Sequence, residues 1–363
     1  MSNSIMLQTI YTLVYYVCNT FCMIRLANDH LRPPVAAGFA WWYVDMIDAQ
    51  GDGFVLIWST GLPFLPHVGT PGCEAAVNLA VYRGGRQVYY VLESIPAANV
   101  ELDGDVIRLG RSWFRSANSG GQRIVTAYLD CPVPGSASRL RGTVNVHGQA
   151  LEVSAQGVPD TTHAWMPLSA PAQGKVRLHA EDFRFEAQGR AYHDRNCADL
   201  PMDALGIESW IWGRLAMPDH DLVYYHLLPK QAGAVPMSLL LEARAGVVRS
   251  LPEGKLRVAE PRRDRYGLAW HAAVTIEAAD RAPVRVRLDP PIDSGPFYLR
   301  HRIASGGAWG WGEACVPDKV DRAWQRPFVR MRVSGGSASA WSPLFTGSST
   351  GRLARLARWW GVA

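Results

Sequence analysis

For most of its length the chain carries short runs of β-forming residues, many alternating apolar and polar positions, closed off by Gly, Pro or Asp. In the first half, GFVLIWST (53–60), EAAVNLAVY (74–82), RQVYYVLES (86–94) and RGTVNVHGQ (141–149) each predict a strand. The second half offers DLVYYHLLP (221–229), MSLLLEARAG (237–246), AWHAAVTIEA (269–278) and PVRVRLD (283–289). Strands spaced by about 10–15 residues with turn residues between them build antiparallel sheet, not βαβ units. Gly84-Gly85 and Asp103-Gly104 are placed for tight hairpin turns. The stretch 132–172 is rich in loop residues (PVPGSASRL, QGVPDTTHAW, LSAPAQG) and divides the chain into two similar halves. The predicted organisation is an apolar N-terminal segment 1–30, a β domain 31–168, a second β domain 169–340 and a basic tail 341–363, with short terminal helices. Each half is long enough to close a barrel around an apolar lumen.

Composition narrows the functional classes. With 363 residues, 48% hydrophobic and 19% charged, the chain is too apolar to be disordered. A net charge of only +5, with no basic stripe interleaved with stacking aromatics, argues against nucleic-acid binding. The six cysteines show no Cys-x-x-Cys spacing and the ten histidines no ligand spacing, so neither a disulfide framework nor a metal site is expected. The glycines of GGAWGWG (306–312) lack a strand-to-helix context, which removes nucleotide cofactors; no cofactor is predicted.

The two ends carry a different signal. Residues 5–24 hold no charge, yet Gln8, Thr9, Thr12, Asn19 and Thr20 dilute the run, leaving an anchor, an extension or a buried helix open. In GRLARLARWWGVA, Arg352, Arg355 and Arg358 recur at threes beside Trp359 and Trp360, a pattern that suits a membrane interface or a helix capping a barrel.

Chemistry concentrates in GRAYHDRNCADLPM (189–202). In an extended strand Tyr192, Asp194 and Asn196 share one face while His193 and Arg195 take the other. If the first face lines an apolar lumen, burial raises the Asp194 pKa and keeps the acid protonated near neutrality. Such an acid can protonate a base as weak as an alkene. An ion pair of Asp194 with Arg190, Arg195 or Arg214 is the competing reading, and it would oppose that role.

These blocks give the sequence a family likeness. Over roughly residues 38–335 it resembles the carotenoid 1,2-hydratase (hydroxyneurosporene synthase) family, whose members look like tandem lipocalin-type barrels. The likeness runs in order through GFAWWYVDMIDAQGDGFVLIW, EAAVNLAVYRGGRQVYY, HAWMPLSAPAQGKVRL, GRAYHDRNCADLPM, ESWIWGRL, GPFYLRH and GWGEACVPDKVDRAWQRPFVRMRV. The resemblance implies an all-β fold of two lipocalin-like antiparallel β-barrel or sandwich domains. It also implies cofactor-free hydration of the C1=C2 bond of an acyclic carotenoid, a substrate met at the cytoplasmic face of the inner membrane. By the same likeness Asp194 is the proton donor, and Trp165 and Tyr192 shape and polarise its pocket. Trp41, Trp42, Asn196, Trp210 and Trp212 are expected near the substrate, with His193 as a proton route. The family's usual Leu-Asp-Ser-Asn is replaced here by His193-Asp194-Arg195-Asn196, a form closer to cyclase-like relatives. A polyene cyclase or pericyclase, and a carrier without chemistry, therefore stand as alternatives. Asp45 and Asn78 are expected to make buried hydrogen bonds, and His226 and His271 to be satisfied barrel histidines.

Overall fold

A computed structural model describes residues 38–64, 74–96, 99–103, 106–132, 138–151, 156–157, 163–181, 183–320 and 347–348. The apolar N-terminal run and the basic tryptophan-containing tail, with the short helices expected there, lie outside the described residues. No helix among the described residues is long and apolar enough to cross a membrane.

The fold is almost entirely β, as two curled antiparallel sheets. The first is formed by β1 (Phe39–Ile47), β2 (Gly53–Thr60), β3 (Glu74–Arg83), β4 (Arg86–Pro96), β5 (Val100–Asp103), β6 (Val106–Leu109), β7 (Ser112–Ser119), β8 (Gln122–Pro132), β9 (Arg139–Ala150), β10 (Gln156–Gly157), β11 (His163–Ala180) and β12 (Phe183–Ala198). The second is formed by β13 (Ile207–Ala216), β14 (Asp221–Pro229), β15 (Met237–Arg244), β16 (Val247–Ser250), β17 (Lys255–Arg263), β18 (Ala269–Ala278), β19 (Arg281–Leu288), β20 (Asp293–Ser294), β21 (Tyr298–Ser305) and β22 (Ala308–Cys315). A two-residue strand, β23 (Gly347–Ser348), adds to the outer edge of β4. Most neighbours are sequential hairpins. The important exception is β1, which pairs with β2 on one side and β12 on the other and so brings the two ends of the first half together.

Local sequence explains most of this. Gly84-Gly85 and Gly306-Gly307 each form the two-residue loop of a hairpin, with all four φ angles positive (58°, 70°, 54° and 85°), conformations that a side chain would strain. The segment 163–180, read partly as loop, is one strand. Its pairing shifts register between Pro167 and Ser169 and again between Ser169 and Ala172. Pro167 and Pro171 have no N–H to give to a ladder, and the irregularities fall where those donors are missing. The expected 168/169 division thus lies inside β11, and the first sheet continues to Ala198.

Period-2 geometry divides the apolar residues into separate cores. From β1, Ala40, Trp42, Val44 and Met46 fill the interior of the first sheet together with Phe54, Leu56 and Trp58. Their alternates Phe39, Trp41, Tyr43 and Ile47 join Val55, Ile57, Trp210, Trp212, Tyr225 and Trp311 in a core between the two sheets. Every residue of β1 and β2 is therefore buried, and the strands read as continuous apolar runs because both faces are covered. The second sheet keeps its own interior around Leu222, Tyr224, Val274, Ile276 and Ile303.

Candidate active site

Antiparallel pairing sets Tyr43 opposite Asp194 and Trp41 opposite Asn196 across β1 and β12. On the other flank of β12, Trp165 of β11 lies opposite Asn196. The predicted face is thereby assembled: Tyr192, Asp194, Asn196, Trp165, Trp41 and Tyr43 all point to one side. That side is not a barrel lumen. It meets the second sheet, whose Trp210, Trp212, Tyr225, Tyr298 and Glu313 complete the lining of a cavity with about 510 Å³ of empty space, its mouth included. Docking the two sheets face to face moves the pocket from inside one half to the seam between both.

Asp194 is 2% exposed, and its carboxyl is held from two directions. Trp165 Nε1 donates to Oδ2 at 2.8 Å and Asn196 Nδ2 donates to Oδ1 at 3.1 Å. Burial pushes its pKa well above the ordinary carboxylate range; the Trp165 hydrogen bond pulls the other way, while Glu313 and Asp45 push it up further. The Tyr192 hydroxyl is buried without a hydrogen bond of normal geometry, yet lies near enough to favour the charged form of Asp194 slightly. Its own phenol is pushed up chiefly by burial, so it remains protonated. Behind Asn196, His163 Nε2 contacts Oδ1 at 3.1 Å and Tyr225 OH lies 3.4 Å from Nδ1. Burial lowers His163 to about 4, which leaves a neutral imidazole in this chain of polar groups.

None of the three candidate arginines pairs with Asp194. Arg190 reaches Asp221 at 2.9 Å and the carbonyl of Pro218 at 2.9 Å. Arg195 points to the opposite face, its guanidinium 4.7 Å above the Trp42 ring. Arg214 is engaged by Asp45 at 2.5 Å and Asp221 at 2.9 Å. Asp45, expected to make a buried hydrogen bond, accepts one from Arg214 Nη1 and is one end of this ion-pair network.

Two expected contacts are removed from the site. Trp42 and His193 lie on the interior face of the first sheet, because adjacent residues of one strand, Trp41 and Trp42 or His193 and Asp194, cannot share a face. His193 meets Ser116 Oγ at 3.1 Å and the Tyr43 carbonyl at 2.9 Å, and burial lowers its pKa to about 3. It is a satisfied interior histidine with no route to the cavity. Asn78 donates to Tyr90 OH at 2.7 Å, and half-buried His226 contacts Ser238 Oγ at 2.7 Å, away from the site.

Sequence reading missed the second sheet's polar contribution. Arg300 is 2% exposed; its Nη1 lies 2.8 Å from Glu313 Oε1 and donates to Tyr43 OH at 3.1 Å. The rings of Tyr298, Tyr43 and Tyr82 surround its guanidinium at 5.5 to 5.9 Å. The one available signal was a lone acidic residue inside the aromatic strand AWGWGEAC. A second, almost wholly apolar cavity of about 370 Å³ adjoins the first and shares Ile57 and Phe64 with it; Leu62, Ala76, Asn78 and Leu92 extend it along β2 to β4.

Comparisons with known proteins agree with one another. The sequence profile described as carotenoid hydratase CrtC matches residues 59–338. The chain is 24% identical over 317 residues to the hydroxyneurosporene dehydrogenase of Chlorobaculum tepidum, covering 74% of this chain and 78% of that protein. It is 25% identical over 297 residues to the acyclic carotenoid 1,2-hydratase of Rubrivivax gelatinosus, covering 76% and 67%. Among solved structures, a Nitrosomonas europaea protein described as AttH superposes with a TM-score of 0.54 at 13% identity, over 78% of this chain and 93% of that one. At that identity the likeness concerns the fold.

Proposed function

This chain belongs to the carotenoid hydratase CrtC family, and from that premise we propose that it adds water to the terminal C1=C2 bond of an acyclic carotenoid to give a tertiary alcohol. The observation that carries the reading is Asp194: a carboxyl kept neutral by burial, oriented by Trp165 and Asn196, and free of any arginine partner. An acid in that state can give its proton to C2 of the alkene, leaving positive charge on tertiary C1. The rings of Trp165, Trp212 and Tyr225 line the cavity beside Asp194, with Tyr192 packed against Trp212 behind them, and aromatic faces attract cations. A water molecule then captures C1. General acid catalysis of this kind is worth about 10²–10⁴-fold, and a dry aromatic enclosure adds to it by excluding competing bases. Protonation and water capture balance without any redox or group-transfer partner, so the reading needs no cofactor. Carotenoids partition into bilayers, which makes peripheral membrane contact part of the same proposal.

The decisive experiment is incubation with lycopene or neurosporene in ¹⁸O-labelled water. The expected product gains one water, with the label in its hydroxyl group. An unlabelled cyclic isomer would support a cyclase, and recovery of unchanged ligand a carrier; either result overturns the proposal.

The adjoining apolar cavity fits the unreactive part of a long polyene. Ala76→Phe, which fills it, is expected to raise KM for a full-length carotenoid by roughly tenfold. Turnover of a short terpene with the same end group should hardly change. Steady-state kinetics with the two substrates would check this, and equal effects on both would place the polyene elsewhere.

A further inference from the structure

The reaction has a second half for which the motif 189–202 supplies no residue. When water adds to C1, its oxygen becomes an oxonium and must lose a proton. His193 is turned away from the cavity, and Asp194 is hemmed in by Trp165 and Asn196 on the first sheet. Among the described residues that line the cavity, the remaining carboxyl group is Glu313, on β22 of the second sheet. It therefore projects into the seam from the wall that does not carry the acid.

We propose that Glu313 is the base that positions and deprotonates the attacking water. Three observations converge on it. Glu313 and Asp194 line the same cavity from different sheets, so an alkene bound between them can receive a proton from one side and water from the other. Arg300 Nη1 sits 2.8 Å from Glu313 Oε1, so a fixed cation anchors one carboxylate oxygen at the wall and leaves the other for water. Glu313 is also less enclosed than Asp194, with its side chain 14% exposed, which gives it access to water and a path for proton exchange. Arg300 itself is fixed by Tyr43 OH and by three tyrosine rings, so it holds Glu313 in place and stays out of the reaction.

The step balances. The Asp194 proton forms the new C2–H bond as the C1=C2 π pair is used, leaving an Asp194 carboxylate and a C1 cation. A lone pair of water forms the C1–O bond, and one of that water's protons passes to Glu313. Exchange of protons with solvent returns Glu313 to carboxylate and Asp194 to acid. Substrate plus water gives alcohol, with both residues restored.

The inference rests on the hydratase reading above, and the test separates the two. In D₂O, a cation that is formed but not captured reverts to alkene by losing a proton and so leaves deuterium in recovered substrate. In Glu313→Gln the acid keeps its burial and its Trp165 and Asn196 donors. Losing the upward push of Glu313 on the Asp194 pKa acts on exchange and hydration alike, whereas capture alone is impaired by losing the base. Alcohol formation is expected to fall about 100-fold, and the ratio of deuterated substrate to alcohol to rise by a similar factor. A role confined to packing would lower exchange and hydration together and leave that ratio unchanged. Should Glu313→Gln not fold because Arg300 loses its counter-charge, the Arg300→Met/Glu313→Gln double variant removes the buried charges together and is read in the same way. Hydration at the wild-type rate, or an unchanged ratio, overturns the base assignment alone. A wild-type protein that forms no alcohol overturns the hydratase reading, and this assignment with it.

Discussion

Asp194→Asn is expected to lower turnover by about 10⁴-fold, the upper end of what a positioned acid contributes, while the apolar ligand still binds. Asparagine keeps the shape of the side chain but has no proton of comparable acidity to give. The aromatic lining of the cavity includes Trp41, Trp210, Trp212, Tyr225 and Tyr298, none of which the change replaces. The two measurements to combine are therefore product formation and quenching of tryptophan fluorescence by the polyene. Turnover near the wild-type value would dismiss Asp194 as the acid, and loss of quenching together with turnover would make it a packing residue. The sign of the pH effect follows from the raised pKa. The acid is active when protonated, so the wild-type rate falls as pH rises through its elevated value. Stability moves in the same direction. In the unfolded chain the carboxyl ionises near 3.9, whereas in the folded protein it stays neutral. Its contribution is fully present below the unfolded value and is lost as pH rises towards the folded one. Asparagine does not titrate, so urea denaturation of the variant should show a flatter decline of stability with pH than wild type. A small offset opposes it, because one of the two donors from Trp165 and Asn196 then faces an amide NH₂.

Much of this site is written in local sequence. Period-2 geometry alone puts Tyr192, Asp194 and Asn196 on one face and His193 and Arg195 on the other, and the strand β12 does so. The runs 53–60, 221–229 and 269–278 are strands with the same limits that their patterning indicates. What the pattern leaves open is which surface each face meets. Trp41 and Trp42 are adjacent aromatics on one strand, so only one can join the site; docking of the second sheet selects Trp41 and leaves Trp42 under Arg195. The same docking moves the cavity out of a barrel interior and into the seam. Tyr225, Tyr298, Arg300 and Glu313 come from strands far along the chain, and a single charged residue in an apolar strand does not reveal its partner. Pro167 and Pro171 hid a strand behind loop chemistry, since missing ladder donors look alike in a loop and at an irregularity of register.

Arg214→Met is expected to destabilise the protein by about 3–5 kcal/mol, the usual effect of breaking a buried ion pair from one side. For a chain of this size that corresponds to a fall in Tm on the order of 10 °C. Arg214, on β13, is fully buried with Asp45 of β1 and Asp221 of β14. Its Nη2 also donates to the Ala191 carbonyl at 3.1 Å, so one guanidinium ties β1 and β12 to the second sheet. Burial raises the Asp45 pKa to about 7 even against the pull of Arg214, and Asp45 Oδ2 has no hydrogen bond. Without the guanidinium, Asp45 must either ionise unpaired or hold a proton at neutral pH. Asp221 fares better, because Arg190 stays within 2.9 Å of it. The Asp45→Asn/Arg214→Met double variant should therefore recover most of the lost stability, since it removes the stranded charge and leaves Asp221 its second arginine. Thermal melts of wild type, the single and the double variant decide the matter. A single variant as stable as wild type would mean that the seam is held by apolar packing alone; a double variant as weak as the single one would mean that the guanidinium's bond to the Ala191 carbonyl, and not charge pairing, is what matters. The network also bears on catalysis. By binding Arg214 between them, Asp45 and Asp221 keep this fully buried cation engaged beside the Tyr192 ring, at 5.7 Å, and unpaired with Asp194.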